Sequence, residues 1–187
     1  MNLLPNLKEF TDRIARGRIE IYNEASVQCE LAIYLRGRLD NRYKIQLERN
    51  IDYFNLHHEN YIKKEMDIVI FATDRIEKQC IELKFPTQGQ YPEQMFSACK
   101  DIKFLEQLIK SDFENCYFMM FADDHLFYEE KDGGEIYKMF RVEKLIKGEV
   151  RKPTGKKDEL LHFDREYKIE WQTLRDSLKC FIIEVKI

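Results

Sequence analysis

Asp67, Glu82 and Lys84 are the residues of this chain whose types and spacing suggest chemistry. They fall within EMDIVIFATDRIEKQCIELKFP, residues 65–86, which reads as a β-hairpin of two apolar runs, IVIF and CIEL, around a polar turn. A two-residue loop at Asp74 and Arg75 would set residue 72 opposite 77 and Asp67 opposite Glu82. Lys84, two residues beyond Glu82, shares its face. Two carboxylates opposed in this way destabilise a sheet unless a cation is shared between them. Magnesium takes hard oxygen ligands and keeps several waters, so Asp67, Glu82 and the main-chain carbonyl of Leu83 form a candidate site with room for water and a phosphate oxygen. Such a cluster suits phosphodiester hydrolysis by a metal-activated water, with Lys84 orienting or deprotonating that water and stabilising the charge of the transition state.

The elements that must position these groups follow from periodicity. A helix is predicted over 5–16, with Pro5 in its first turn, Leu7, Phe10 and Ile14 as its stripe, and Gly17 as its stop. A second, over 24–39, carries Val27, Leu31 and Leu35 behind Asn23, a good N-cap. Alternation over 43–48 predicts a strand with one buried face, followed by a loop to Tyr61. The hairpin runs are almost continuously apolar, as in central strands covered on both faces by helices. Pro92 opens a long helix to about Ser111, with Met95, Ala98, Cys99, Ile102, Leu105 and Ile109 on its buried stripe, and CYFMMFA (116–122) is a fourth buried strand. Beyond it, Val142, Leu145 and Ile146 suggest a short helix closed by Gly148, then a loop, then strands at 166–172 and 179–187 around a turn near Asp176. The two strands are expected to pair with each other as a C-terminal β-hairpin that extends the sheet or packs beside it.

These elements predict one α/β domain over residues 1–187, a three-layer sandwich with a mixed central sheet, its core at about 23–122 and an extension at about 123–187. The length is ample for one core. Although 35% of residues are charged, 13 Phe and 10 Tyr supply material for a packed interior. The net charge of −3 excludes the broad basic field of a protein that coats nucleic acid, so any such contact must be local. Cys29, Cys80, Cys99, Cys116 and Cys180 are odd in number and widely spaced, without a zinc-ligand pattern, and read as reduced, buried thiols. No run approaches the roughly 18 apolar residues of a membrane span. Neither is there a signal-peptide core, so no membrane association is expected and the cytoplasm is the expected location.

The order helix, strand, strand with Asp, strand with Glu-x-Lys, helix, strand resembles the PD-(D/E)XK nuclease superfamily, the restriction-endonuclease-like fold, over roughly residues 23–122. The resemblance implies a magnesium-dependent nuclease, with Mn²⁺ as a substitute, acting on nucleic acid, with DNA as the expected substrate. Small nucleases of this kind often dimerise to cut both strands, so a homodimer is among the partners it implies. It also implies a carboxylate on the first core helix, a role for which Glu24 and Glu30 compete. Glu24 shares the face of Val27, Leu31 and Leu35, whereas Glu30 projects about 240° away, so Glu24 is preferred. Some members carry a glutamine on the helix after the Glu-x-Lys strand, and Gln94 is the matching position. The chain departs from the motif at Met66, where the name of the family places proline. The alternative within the same fold is a catalytically inactive binding module for nucleic acid or protein.

Glu-x-Lys is itself weakly selective, since the chain holds four: Glu82/Lys84, Glu129/Lys131, Glu166/Lys168 and Glu184/Lys186. The last, in the apolar run CFIIEVK with Asp164 upstream, is the serious competitor, but nothing follows it to supply the required element order. His57 and His58 are adjacent, so in an extended segment they point to opposite faces and read as loop surface. Arg13, Arg16 and Arg18, and the loop bearing Arg151, Lys152, Lys156 and Lys157, are candidate phosphate contacts, with solvated charge as their ordinary explanation.

Overall fold

Consecutive residues of the strand Cys116–Ala122 bury their side chains on opposite faces of a sheet, which is why this strand has no polar position. Cys116, Phe118, Met120 and Ala122 enter one apolar core, Tyr117, Met119 and Phe121 the other. The computed structural model describes residues 1–87, 89–131, 133–155 and 159–186. Its elements begin with α1 (Leu4–Ala15), α2 (Glu24–Arg36), β1 (Tyr43–Asn50), β2 (Glu65–Ala72), β3 (Lys78–Lys84), α3 (Tyr91–Ile109) and β4 (Cys116–Ala122). A short α4 (Glu135–Tyr137) that runs on as one π-helical turn, β5 (Leu145–Arg151), β6 (Leu160–Lys168), β7 (Gln172–Arg175) and β8 (Leu178–Val185) complete the order. Six strands form a mixed sheet in the order β1-β2-β3-β4-β8-β7, in which only β3 and β4 run parallel; β5 and β6 form a separate pair.

The layers follow from the two cores. On one face Leu7, Phe10 and Ile14 of α1 and Val27, Leu31 and Leu35 of α2 pack against Ile68, Ile70, Ile81 and Leu83. On the other, Met95, Ala98, Cys99, Ile102 and Leu105 of α3 pack against Val69, Phe71 and Cys80, with Ile146, Val150, Leu161 and Phe163 of the β5–β6 pair closing the far side. The chain is thus an α/β sandwich of three layers with a mixed central sheet.

Local signals position the site. Asn23 caps α2 as expected: its Oδ1 accepts from the Ser26 N–H at 2.8 Å, and the Ser26 hydroxyl accepts in return from the Asn23 N–H at 3.0 Å. Gly17 stops α1 at φ +67°, a conformation glycine adopts at little cost. The β2–β3 hairpin has the expected register, with Ile68 opposite Ile81 and Val69 opposite Cys80. Its loop, however, spans residues 73–76 instead of two, because the Arg75 N–H closes a turn on the Ala72 carbonyl at 2.9 Å and Arg75 then takes φ +64°.

The C-terminal third differs from the expectation. Residues 145–151 form a strand, not a helix: Ile146 and Val150 are buried on β5 and Gly148, at φ +61°, sits at a break in the β5–β6 register. The strand at 160–168 pairs with β5, and the hairpin turning at Asp176 is formed instead by β7 and β8. That hairpin is no appendage, for β8 pairs with β4 over its whole length and covers an edge that would leave an apolar strand unpaired. The core therefore extends well past residue 122. Of the cysteines, Cys80, Cys99, Cys116 and Cys180 are buried free thiols, but Cys29 is exposed on α2. Among the described residues no helix is long and apolar enough to cross a membrane.

Candidate functional site

Alternation along β3 turns Ile81 and Leu83 toward α2 and leaves Glu82 on the side of α3, where its side chain is fully buried. Asp67 lies across from it on β2. The two are joined reciprocally by the sheet: the Asp67 N–H donates to Glu82 Oε1 at 3.2 Å, and the Leu83 N–H donates to Asp67 Oδ2 at 2.7 Å. The remaining oxygens of both acids face one ammonium, that of Lys63, which is bonded to Glu82 Oε2 and stands 3.7 Å from Asp67 Oδ1. A third acid completes the group, with Asp101 Oδ1 of α3 at 2.9 Å from the same nitrogen.

Lys84 continues the cluster toward solvent. Its ammonium lies 3.5 Å from Asp101 Oδ2 and 3.4 Å from Glu24 Oε2, and the same Glu24 oxygen accepts from the Phe85 N–H at 3.0 Å. The capped start of α2 therefore holds Glu24 at the end of β3. Glu30, the competing helix carboxylate, makes no ion pair among the described residues. A cavity of about 770 Å³ opens here between the starts of α2 and α3, lined by Asn23, Glu24, Lys84, Phe85, Gln90 and Gln94. Gln94 thus shares a cleft with Glu24 and Lys84, while Asp67 and Leu83 line a smaller adjoining opening of about 240 Å³ with Glu24, Gln28 and Glu48.

Burial and crowding control the charges. Burial pushes the Asp67 carboxyl up to about 6, against the pull of Lys63 and of the Leu83 N–H, with Asp101 and Glu24 adding to the rise. Glu82 is driven well above the usual carboxylate range by complete burial and then by the charge of Asp67. Lys63 feels burial as a force toward neutrality, but Glu82, Asp101 and Asp67 outweigh it and hold the ammonium charged beyond its ordinary range. Lys84 follows the same pattern: burial opposes its charge, and Asp101 and Glu24 restore it.

Sequence reading missed four of these residues. Asp101 lies three positions after Ala98 and four before Leu105, on the buried stripe of α3, and a charge on such a stripe is a legible signal. Lys63, in the irregular segment before β2, gave none. Glu48 sits opposite Asp67 on β1 in a left-handed conformation, φ +47°, at a position where the β1–β2 ladder is interrupted without a change of register. Gln28 Nε2 donates both to Glu48 Oε1 at 2.5 Å and to the Asp67 carbonyl at 2.8 Å, tying α2, β1 and β2 together at the site.

The other candidates stand apart from this cluster or pair elsewhere. Lys186 pairs with its own neighbour Glu184 at 2.9 Å, and Asp164 pairs with Lys110 at 3.1 Å. Arg13 is held by Glu9 at 3.0 Å, Arg16 and Arg18 are exposed, and so are His57 and His58. Lys152 is engaged by Glu159 at 3.2 Å, while Lys156 and Lys157 lie outside the described residues.

Among the described residues, no three acidic, histidine or cysteine side chains are disposed to hold a metal ion. The carboxylates are arranged around an ammonium. The donor atoms are nevertheless of the hard oxygen type: three carboxylates converge on the Lys63 ammonium, and Asp101 Oδ2, buried and without a hydrogen bond, lies 3.5 Å from the ammonium of Lys84. Comparison with protein-family models, curated proteins and solved structures gives no match.

Proposed function

We propose that this chain is a magnesium-dependent nuclease of the PD-(D/E)XK type, with a restriction-endonuclease-like fold, hydrolysing phosphodiester bonds of nucleic acid, DNA in the first instance. The observation that carries the reading is the convergence of the buried Asp67 and Glu82 carboxylates on one cation, beside Lys84 at the mouth of a cleft. Opposed, desolvated carboxylates are costly to a fold, and a shared divalent cation is the chemistry that justifies them.

Asp67, Glu82 and the Leu83 carbonyl are the groups that would hold Mg²⁺ or Mn²⁺. When bound, the ion supplies Lewis-acid polarisation of a phosphate oxygen and increases the acidity of a coordinated water. Lys84 has a narrower part than the residue types alone suggested: an ammonium held charged by Asp101 and Glu24 stabilises phosphate charge and orients water, but it is a poor proton acceptor. Glu24 supports Lys84 and fixes the chain at Phe85. Gln94 lines the cleft in which a nucleic-acid backbone would lie.

Lys63 favours a second reading, a nuclease-fold module without turnover, because it already neutralises the acids that would hold the ion. Cleavage of plasmid and single-stranded DNA with Mg²⁺ or Mn²⁺ separates the two. The wild type should cut, Asp67→Ala and Lys84→Ala should each lose cleavage by at least about 10²-fold, and EDTA should abolish it. A wild type that does not cut sinks the nuclease reading, and activity that survives both substitutions sinks the mechanism assigned to Asp67 and Lys84.

A further inference from the structure

Lys63 contributes one positive charge to a position where three carboxylates meet. With Glu24 and Lys84 included, the connected cluster has four carboxylates and two ammoniums, a formal deficit of two positive charges. Exchanging the Lys63 ammonium for one divalent cation halves that deficit. A compact ammonium on a flexible four-carbon stem is also the side chain best able to hold such a position and to leave it.

The main chain around Lys63 is pinned. The Ile62 N–H donates to Gln107 Oε1 of α3 at 3.0 Å, and the Lys64 carbonyl accepts from the Ile51 N–H at 2.9 Å. The side chain itself is 27% exposed and lines an opening of about 360 Å³ with Glu48, Lys64, Glu65 and Asp67. Its ammonium can therefore swing into that opening by rotating its own side chain, without any loop having to open.

Resting on the nuclease reading, we infer that Lys63 is an internal cation that competes with the metal: it closes the carboxylate cluster in the free protein, and a divalent ion enters by displacing its ammonium from Asp67 and Glu82. Lys63 is thus a positioning residue that keeps the acids preorganised and lowers the affinity of the bare protein for metal.

The test is Mn²⁺ titration of the full chain by calorimetry, without nucleic acid. Lys63→Met should bind Mn²⁺ about tenfold more tightly than wild type, whereas Lys63→Arg, which keeps a cation, should bind no more tightly. A second measurement needs no variant: amine acetylation read by mass spectrometry should modify Lys63 of the wild type slowly in EDTA and several-fold faster in Mn²⁺. Wild type that binds Mn²⁺ while Lys63→Met binds equally or more weakly, or Lys63 labelling that does not change with Mn²⁺, overturns the displacement and leaves the metal site standing. Absence of Mn²⁺ binding in both folded proteins overturns the displacement and the nuclease reading together.

Discussion

Asp67 is the residue at which function and stability oppose each other most directly, and Asp67→Asn measures the conflict. The acid lies 15% exposed between Glu82 and Asp101, and its carboxyl is raised from 3.8 to about 6. The folded chain therefore holds the Asp67 proton more tightly than the unfolded chain does. Stability from this group is complete below about pH 4 and is lost as pH rises through about 6, a difference of about 3 kcal/mol. Asparagine keeps an oxygen to accept the Leu83 N–H but has no charge to bury. In EDTA the variant should match the wild type near pH 4 and exceed it above pH 7 by up to about 3 kcal/mol, a rise in Tm of roughly 6–12 °C for a domain of this size. Thermal unfolding followed by circular dichroism from pH 4 to 9 reads this difference. A variant equally or less stable at pH 8, with a gap to wild type that does not widen with pH, would refute the assignment of Asp67 as a buried, costly carboxylate.

Asp101→Asn keeps the shape of the side chain while removing the charge that holds both Lys63 and Lys84, and it should reduce DNA cleavage by about 10- to 100-fold without altering the circular dichroism spectrum. Unchanged cleavage would remove Asp101 from the site. Glu184→Gln and Lys186→Ala break a surface pair and should each change stability by no more than about 0.5 kcal/mol, with cleavage unaffected. Loss of cleavage in either would mean that the wrong Glu-x-Lys had been chosen.

The parts of the site that were legible in the sequence are those fixed by short-range rules. Strand period and a central turn sufficed to set Asp67 against Glu82, and an Asn23 cap with the stripe of α2 sufficed to favour Glu24 over Glu30. The loop miscount at 73–76 left the register intact because both loops give the same pairing. What failed depends on distant chain segments. Lys63 reaches the acids because the irregular segment before β2 is tied to α3, a contact no local pattern encodes. Asp101 carries a readable signal, a charge within an apolar helical stripe. The C-terminal strands were recognised in part, yet their partners were not, since β8 chooses β4 across more than fifty residues of sequence. Val142, Leu145 and Ile146 fit helical spacing with Gly148 as a stop, but the buried alternation of Ile146 and Val150 is the better guide.

Anomalous diffraction from a crystal of the wild-type chain soaked in Mn²⁺ tests most directly whether Asp67 and Glu82 share a divalent cation. The account predicts one peak between those two carboxylates, close to the Leu83 carbonyl, with the Lys63 ammonium turned away from Glu82. Lys63 still bonded to Glu82 and Asp101, with no peak between the acids at saturating Mn²⁺, would contradict it.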